Sequence, residues 1–329
     1  MNKIKRSVKL LQAAFNVLLR EKKLFLFPVI ATVLALVIAL FFIAPVALYP
    51  TGHSYFSAAH WSALADRLGH SVNAIQLQQN KLAHIGPVTV TGSGTLPWFS
   101  AKPWVAIFFA CAYFASMILA TFSNVAFYHE IMQALNGEAV SVRRGFRFAL
   151  TRWRAVLLWS LFAGLVGYLI QTIQERLGIL GRVITGLIGI VWSVACIFII
   201  PVLVREEQTT NPLKLLRSSA GTLKRSWGEL VIGFVGLEAA FGAIFLTFLL
   251  TVTVVAGISI YFFNAHFHAA TIWIIATGIG IVLLMALVLS WISSMVNPVY
   301  RCALYIYATE GVVPGTFDKE LLDSAWKVK

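Results

Sequence analysis

The sequence predicts an all-α protein, a polytopic bundle of about six transmembrane helices that forms one membrane domain over residues 1–329. Two observations lead to this prediction. Of the 329 residues, 59% are hydrophobic and only 12% are charged, whereas a soluble domain carries about 25% charged residues. The mean hydropathy of +0.82 comes from long uninterrupted apolar blocks, each close to the length that a helix needs to cross a bilayer.

Six apolar segments qualify as spans, because a hydrocarbon core of about 30 Å needs roughly 20 helical residues. The first is too long for the apolar region of a signal peptide, so we expect it to stay in the protein. The apolar run around the fifth extends to residue 263, and we expect the helix to end near Gly257; a broken helix lining a substrate site is the alternative. The six spans are 24–48, 104–128, 155–173, 183–204, 230–257 and 271–300.

The positions of Lys and Arg predict the orientation. Seven precede the first span, five follow the second, five follow the fourth and four lie at the C-terminal end, which accounts for 21 of the 26 in the chain. The first loop, 49–103, holds three, and the other two connections hold two and none. Because positive residues favour the cytoplasmic side, we expect both termini in the cytoplasm and 49–103 outside it. The net charge of +13 then reflects topology, and no nucleic-acid partner is expected.

Basic amphipathic segments precede the odd-numbered spans, at 5–20, 142–153 and 212–227, so the sequence predicts three repeats of a basic helix plus a transmembrane hairpin. We expect these segments to lie at the cytoplasmic interface, with apolar side chains in the acyl boundary and cations against anionic headgroups. The alternative is that they simply continue the spans into the cytoplasm. The predicted lipid-contacting cations are Arg143, Arg144, Arg147, Lys214, Arg217, Lys224 and Arg225.

Several stretches carry a resemblance to a known family. They are PVLVREE at 201–207, NPLKLLRSS at 211–219, YIYATEG at 305–311 and FDKELL at 317–322. With the six-span layout, they resemble a bacterial inner-membrane family of unknown function. The chain is more distantly similar to the membrane region attached to some glycerophosphodiester phosphodiesterases. The resemblance implies a bacterial inner membrane and no established activity, since the phosphodiesterase catalytic domain is absent.

Glu238 is the acidic residue that lies deepest in an apolar span, about 12 Å past Leu230 at 1.5 Å per residue. Arg301 enters the sixth span from the same side, so the two side chains could pair inside the bundle. Such a pair either fixes helix register or belongs to an ion or proton pathway, since ionisable groups in a membrane suggest function. Asn124 and Asn297, near the ends of the second and sixth spans, are further polar candidates.

No catalytic, cofactor or metal signature is present in the sequence. The histidines of the first loop, His53, His60, His70 and His84, are too widely spaced for helical metal ligands. The three cysteines fall in or beside apolar spans and behave as small hydrophobes. His129 and Glu130 follow the second span directly, and we expect them to form a solvated helix end rather than an acid–base pair.

Three classes of function remain open. The favoured hypothesis is a non-enzymatic membrane protein that contacts lipids, above all anionic headgroups on the cytoplasmic side, and helps to organise the envelope. The alternative is a transporter or channel that uses Glu238 in a polar intramembrane site. A membrane enzyme comes third, because no acid, base and nucleophile stand out. Homo-oligomerisation is left open by the sequence.

Overall fold

The computed structural model describes residues 3–64, 103–176, 178–206, 209–263, 268–314 and 317, and within them it contains helices and no strand. The predicted all-α class is confirmed. A 3₁₀ turn at Lys22–Phe25 and a short helical stretch at 58–64 accompany the main helices. These are α1 Lys3–Arg20, α2 Leu26–Ala47, α3 Pro103–Leu135, α4 Val142–Thr151, α5 Trp153–Arg176, α6 Gly178–Ala195, α7 Ile199–Arg205, α8 Pro212–Phe263 and α9 His268–Glu310.

Five helical segments of the described chain are long and apolar enough to cross a membrane. In α8, where the sequence predicts the fifth of six spans, the described side chains add a shorter apolar stretch, Gly242–Val254. Helices suit these sequences because every peptide group in hydrocarbon must find its hydrogen bond within the segment. The five segments are Lys22–Ala47, Ile107–Leu135, Trp153–Ile173, Ile184–Arg205 and Ala276–Glu310.

The fifth span differs from the prediction because α8 is one continuous helix of 52 residues. It passes Gly257 without a break, so the expected helix end there is wrong. A Cβ at Gly257 would meet no atom of the described residues within 4 Å, so close packing does not require a glycine at this position. The basic segment 212–227 is likewise not a separate helix but the first part of α8. This agrees with the alternative interpretation, in which a basic segment is continuous with the span that follows it.

The fourth predicted span, 183–204, is interrupted instead. Helix α6 ends at Ala195, a turn covers 196–198, and α7 begins at Ile199. Pro201 explains this position, because a proline ring clashes with the carbonyl four residues earlier and cannot donate to it. That carbonyl belongs to Ile197, inside the turn.

The packed core lies at one end of the bundle, which we call the base. It contains the second half of α1, α4, α7, the starts of α2, α5 and α8, and the ends of α3 and α9 from Val125 and Met295 onward. Helix α3 lies at its centre and contacts α2, α4, α5, α7 and α9. The largest fully buried side chains are Leu18, Leu24, Phe27, Ile131, Phe198, Ile199, Leu203, Leu215, Met295, Tyr300 and Leu304.

Beyond the base, the same helices expose their apolar side chains. Leu36 and Phe41 on α2 are 57% and 71% exposed, and Leu287 on α9 is 68% exposed. Apolar patches of this extent on a helical bundle mark surfaces that another apolar phase covers. The distribution fits a bundle whose sides face lipid and whose base is packed like a soluble protein.

Candidate functional site

A buried ion pair lies in the base, between α3 and α4. Glu130, near the end of α3, is 0% exposed. Arg144 donates from Nε to Oε1 and from Nη2 to Oε2, both at 2.9 Å. The backbone N–H of Ser141 donates to Oε2 at 2.7 Å. This is a bidentate, charge-assisted arrangement, the stronger kind of protein hydrogen bond. The expectation of a solvated helix end at Glu130 is therefore wrong.

The surroundings of this pair complete its hydrogen bonding. His129 places Nδ1 3.1 Å from Oε1 of Glu130, and its ring stacks on Phe148 with centroids 4.0 Å apart. Arg144 also donates to the Ala139 carbonyl at 2.9 Å and contacts the Glu138 carboxylate at 3.4 Å. The hydrogen bond to Glu130 raises the pKa of Arg144 above its ordinary value. Arg144, predicted as a lipid contact, is thus engaged by protein carboxylates.

Two glycines allow this geometry. Gly137 has φ of +85°, a left-handed conformation that ends α3 and lets Glu138 donate to the Gln133 carbonyl. Gly145 brings α4 against α3: a Cβ there would lie 2.8 Å from the Ala126 carbonyl oxygen and 2.9 Å from Cγ of Glu130. The turn reverses the chain and the second glycine permits the close approach, so Glu130 and Arg144 meet.

Aromatic side chains of α4 pack along the second half of α3. The ring centroids of Phe146 and Phe122 are 5.8 Å apart, and Phe148 stacks on His129, two turns further along α3. These contacts hold α4 against α3 on both sides of the Glu130–Arg144 pair.

A second set of contacts joins the interrupted fourth span to α8. Ser219 is fully buried; its hydroxyl accepts from the Phe198 N–H at 3.2 Å and donates to the Ala195 carbonyl at 2.6 Å. It thereby satisfies peptide groups on both sides of the turn. Next to it, Ser218 donates to the Glu206 carboxylate. The sequence alone did not lead us to expect these contacts between the interrupted fourth span and α8. The signals that could have indicated them are Pro201, which interrupts the helix, and the serine pair Ser218 and Ser219.

A third contact closes the base, where Arg205 at the end of α7 pairs with Glu310 at the end of α9. Both side chains are close to 40% exposed, so this surface pair contributes little stability in water. Its position joins the ends of the second and third predicted repeats.

The predicted lipid-contacting cations divide into two groups. Arg144 is paired, whereas the described side chains of the others are exposed: Arg143, Arg147, Lys214, Arg217 and Lys224. The side chain of Arg225 lies outside the described residues.

The predicted apolar faces of the basic segments divide as well. Leu18 of α1 and Leu223 of α8 are buried in the core, and Phe146 of α4 packs against it. By contrast, Leu150, Trp153 and Leu213 are 61%, 54% and 62% exposed. The prediction that the whole apolar face of each basic segment enters the acyl boundary is therefore wrong, because part of the face is buried in the protein core. The exposed apolar side chains lie beside the exposed cations.

The predicted intramembrane pair remains untested, because the side chain of Glu238 lies outside the described residues. Arg301 on α9 is half-buried and interacts with the phenol of Tyr128 on α3. Asn297 donates to the Ser293 hydroxyl at 3.0 Å. Asn124 is exposed and lines a groove of about 350 Å³ between α2 and α3.

A similar groove of about 500 Å³ lies between α8 and α9. The residues that α3 and α9 contribute to the two grooves have identical spacing along the chain. They are Ser116, Leu119, Ala120, Ser123 and Asn124 on α3, and Ala286, Leu289, Ser290, Ser293 and Ser294 on α9. This spacing is that of one face of any α-helix, so the predicted relation between the first and third hairpins stays a prediction.

The histidines of the first loop are only partly described. His53 is exposed, while His60 is buried between the Thr51 hydroxyl at 2.6 Å and the Ala47 carbonyl at 2.9 Å. His70 and His84 lie outside the described residues. Within the described ranges, no group of three His, Cys, Asp or Glu side chains has the geometry to hold a metal ion.

Long apolar helices extend from a packed base that contains a buried ion pair. These features define the class of the protein, a polytopic helical membrane protein. Residues 103–315 match the model of a family of unknown function, DUF6159. The chain belongs to that family, and the expected membership of a family of unknown function is confirmed. No curated protein and no solved structure matches the chain. The similarity to the phosphodiesterase membrane region stays a prediction.

Proposed function

We propose that this chain is a non-enzymatic integral protein of the bacterial inner membrane that binds anionic lipid headgroups through its base and organises lipid there. Both termini lie in the cytoplasm in this proposal, because Lys and Arg concentrate in the termini and in the connections that form the base. The resemblance of the sequence to a bacterial membrane family supports the compartment.

One observation carries the proposal: all three basic segments present exposed cations beside exposed large apolar side chains. In α1, Leu19 is 50% exposed next to Arg20; in α8, Leu213 is 62% exposed next to Lys214. In α4, exposed Leu150 follows Arg147 by one turn. Cations alone would suit water, but leucine beside a cation suits the boundary between acyl chains and headgroups.

The buried ion pair sharpens this assignment. Glu130 pairs with Arg144. Arg143 and Arg147, the exposed cations on either side of Arg144 in α4, form no ion pair among the described residues. Anionic headgroups attract such cations by about 1 kcal/mol each near a membrane surface. Three segments with this character would give the base a preference for anionic lipid.

The transport alternative depends on Glu238, whose side chain lies outside the described residues. A test of that alternative needs its own variant, Glu238→Gln, whose loss of solute uptake with normal folding would favour transport over lipid organisation.

The test compares lipids retained by the purified full-length protein. The protein is incubated with equal amounts of phosphatidylglycerol and phosphatidylcholine in neutral detergent, and the bound lipids are quantified by mass spectrometry. We expect at least tenfold more phosphatidylglycerol than phosphatidylcholine on the wild type, because tenfold corresponds to about 1.4 kcal/mol and needs only one or two cations at about 1 kcal/mol each for every bound lipid. A variant with Gln at Arg143, Arg147, Lys214, Arg217 and Lys224 should lose this preference.

The matched control keeps the charge: Lys replaces the three arginines and the two lysines stay. It should retain the preference, because a diffuse attraction to headgroups depends on charge more than on guanidinium geometry. Equal retention of both lipids by the wild type would overturn the proposal.

A further inference from the structure

The groove between α2 and α3 lies between two aromatic contacts of that hairpin. Near the base, the ring centroids of Phe27 and Phe127 are 5.5 Å apart. Toward the other end of the hairpin, those of Phe42 and Phe108 are 5.2 Å apart. The two contacts show that the helices are antiparallel. Four alanines are among the residues that line the groove of about 350 Å³, so the groove has a defined length along the hairpin.

Three polar residues line the end of the groove that is nearest the base. They are Thr32 on α2 and the adjacent Ser123 and Asn124 on α3. The stacking of Phe27 on Phe127 sets this register, because residues that follow Phe27 in α2 then lie level with those that precede Phe127 in α3. The groove is therefore polar at one end and mainly apolar along the rest of its length.

The hydroxyl of Ser123 has no hydrogen-bond partner among the described residues, although its oxygen is buried and the residue is only 6% exposed. Nearby hydroxyls of α3 are satisfied by their own helix: Ser116 donates to the Ala112 carbonyl at 2.8 Å, and Thr121 donates to the Met117 carbonyl at 2.9 Å. Buried polar atoms are nearly always hydrogen-bonded. The Ser123 hydroxyl therefore indicates an acceptor that comes from outside the described chain.

Asn124 adds an amide next to this hydroxyl. Its side chain is exposed and forms no hydrogen bond among the described residues. It lies within the apolar segment Ile107–Leu135, where a polar group without a partner is costly. The amide nitrogen can donate two hydrogen bonds. Ser123 and Asn124 together thus offer donors at the polar end of the groove.

The length of the groove fits one acyl chain in one leaflet. From Asn124 to Ser116 it extends over eight residues, about 12 Å at 1.5 Å per residue. This length is close to half of a hydrocarbon core of about 30 Å. A helix of a second copy, about 10 Å in diameter, would occupy about 900 Å³ over the same length, far more than the groove provides.

The chemistry of the groove fits the same ligand. The base lies at the membrane surface, so the donors of Ser123 and Asn124 lie just below the headgroups, where glycerolipids carry their ester groups. An ester carbonyl accepts hydrogen bonds, and the acyl chain that follows it is apolar. An ester-linked chain therefore matches both the polar end and the apolar remainder of the groove.

We propose that the groove between α2 and α3 binds one ester-linked acyl chain of a glycerolipid. The ester carbonyl accepts from the Ser123 hydroxyl and the Asn124 amide, and the chain follows the alanines toward Ser116. This inference goes beyond the proposed function, because none of the described residues that line the groove is charged. The groove takes the chain whatever headgroup the lipid carries.

The first experiment compares two lipids that differ only in their linkage. Purified full-length protein in neutral detergent is incubated with diacyl phosphatidylcholine or with its dialkyl ether analogue, which lacks ester carbonyls, and binding is measured by native mass spectrometry. We expect the wild type to bind the ester about fivefold more tightly, the effect of one net hydrogen bond. The variant Ser123→Ala with Asn124→Ala should bind both lipids equally. The matched variant Ser116→Ala should keep the fivefold ratio, because the Ser116 hydroxyl bonds within its own helix.

A second pair of variants tests the groove itself. Ala120→Leu places a larger side chain at an exposed lining position, so the chain can no longer enter and the preference for the ester should disappear. The matched variant Ala243→Leu makes the same change at an exposed position of α8 and should keep the fivefold ratio. Since Ala120 and Ala243 are both exposed, both variants should elute as the wild type does in size-exclusion chromatography.

Each contrary outcome overturns the inference and leaves the proposed function intact, because the two probes carry the same headgroup. Equal binding of ester and ether by the wild type would show that no ester is recognised. Loss of the ratio in Ser116→Ala would place the hydrogen bond elsewhere. If Ala120→Leu kept the ratio but changed the number of protein chains in the particle, a second copy would occupy the groove instead of a lipid.

Discussion

The base and the spans beyond it use different physics to pack the same helices. In the base, large side chains such as Phe27 and Tyr300 are buried, and the buried carboxylate of Glu130 is paired with Arg144. Beyond the base, contacts between α3 and α5 involve small or hydroxyl residues: Ser160 bonds to Thr121, and Tyr113 reaches the Gly164 carbonyl. Many of the large apolar side chains there are exposed, among them Leu36, Phe41 and Leu287.

This difference follows from what surrounds each region. Water next to the base makes burial of apolar surface favourable and leaves buried charges to be satisfied by the protein. Among lipid tails there is no hydrophobic force between helices, so close packing of small residues and interhelical hydrogen bonds take over. The base has a core like that of a soluble protein, so we expect most of the stability against unfolding to come from that end of the bundle.

The largest expected effect comes from truncating one phenylalanine on each side of this boundary, both on α2. Phe27 is 2% exposed and stacks on Phe127 and Phe146, so Phe27→Ala should lower the free energy of unfolding by about 3–5 kcal/mol. Phe41 is 71% exposed, and Phe41→Ala should change it by less than about 0.5 kcal/mol. Denaturant titration in detergent micelles, followed by circular dichroism, measures both. Equal losses would show that the two regions are packed alike.

A smaller effect is expected from the charges of the base. Glu130→Gln keeps the shape but removes the charge that Arg144 and the Ser141 N–H contact, and it should cost about 2 kcal/mol. The matched variant is Glu138→Gln, because Glu138 is 56% exposed and touches Arg144 only at 3.4 Å. It should cost less than about 0.5 kcal/mol. If the two variants had equal unfolding midpoints, the buried pair would not hold α4 on α3.

The helical class was predictable because hydrocarbon leaves peptide groups no other partner, so an apolar run of sufficient length must form a helix. The run at 271–300 lies within α9 for this reason. The run at 230–257 lies within α8 for the same reason, yet the expected helix end at Gly257 was wrong. Glycine weakens a helix in water by up to about 1 kcal/mol, but in an apolar run the cost of exposed peptide groups is greater.

The site was harder to predict because its partners are distant in sequence. A turn separates Glu130 from Arg144, and Asn136 followed by Gly137 is a sequence pattern that indicates such a turn. No sequence pattern indicated that Gly145 would bring α4 so close to α3. Local reasoning therefore gave Glu130 a solvated helix end. The amphipathic segments posed a related difficulty, because an apolar face does not reveal whether protein or lipid covers it. In α4 the face divides: Phe146 packs against the core, whereas Leu150 is exposed.

The smallest of the expected effects concerns the turn at 196–198, where the two kinds of packing meet. Ser219→Ala removes the hydroxyl that bonds both the Phe198 N–H and the Ala195 carbonyl, so it should lower the free energy of unfolding by about 1–2 kcal/mol. The unpartnered Phe198 amide should also exchange its hydrogen faster, which mass spectrometry of the peptide that contains it can detect. The control is Ser116→Ala, because Ser116 is exposed and bonds only to the Ala112 carbonyl of its own helix. That variant should change stability by less than about 0.5 kcal/mol. Unchanged exchange at Phe198 in the Ser219 variant would mean that Pro201 alone maintains the interruption and that α8 merely rests against it.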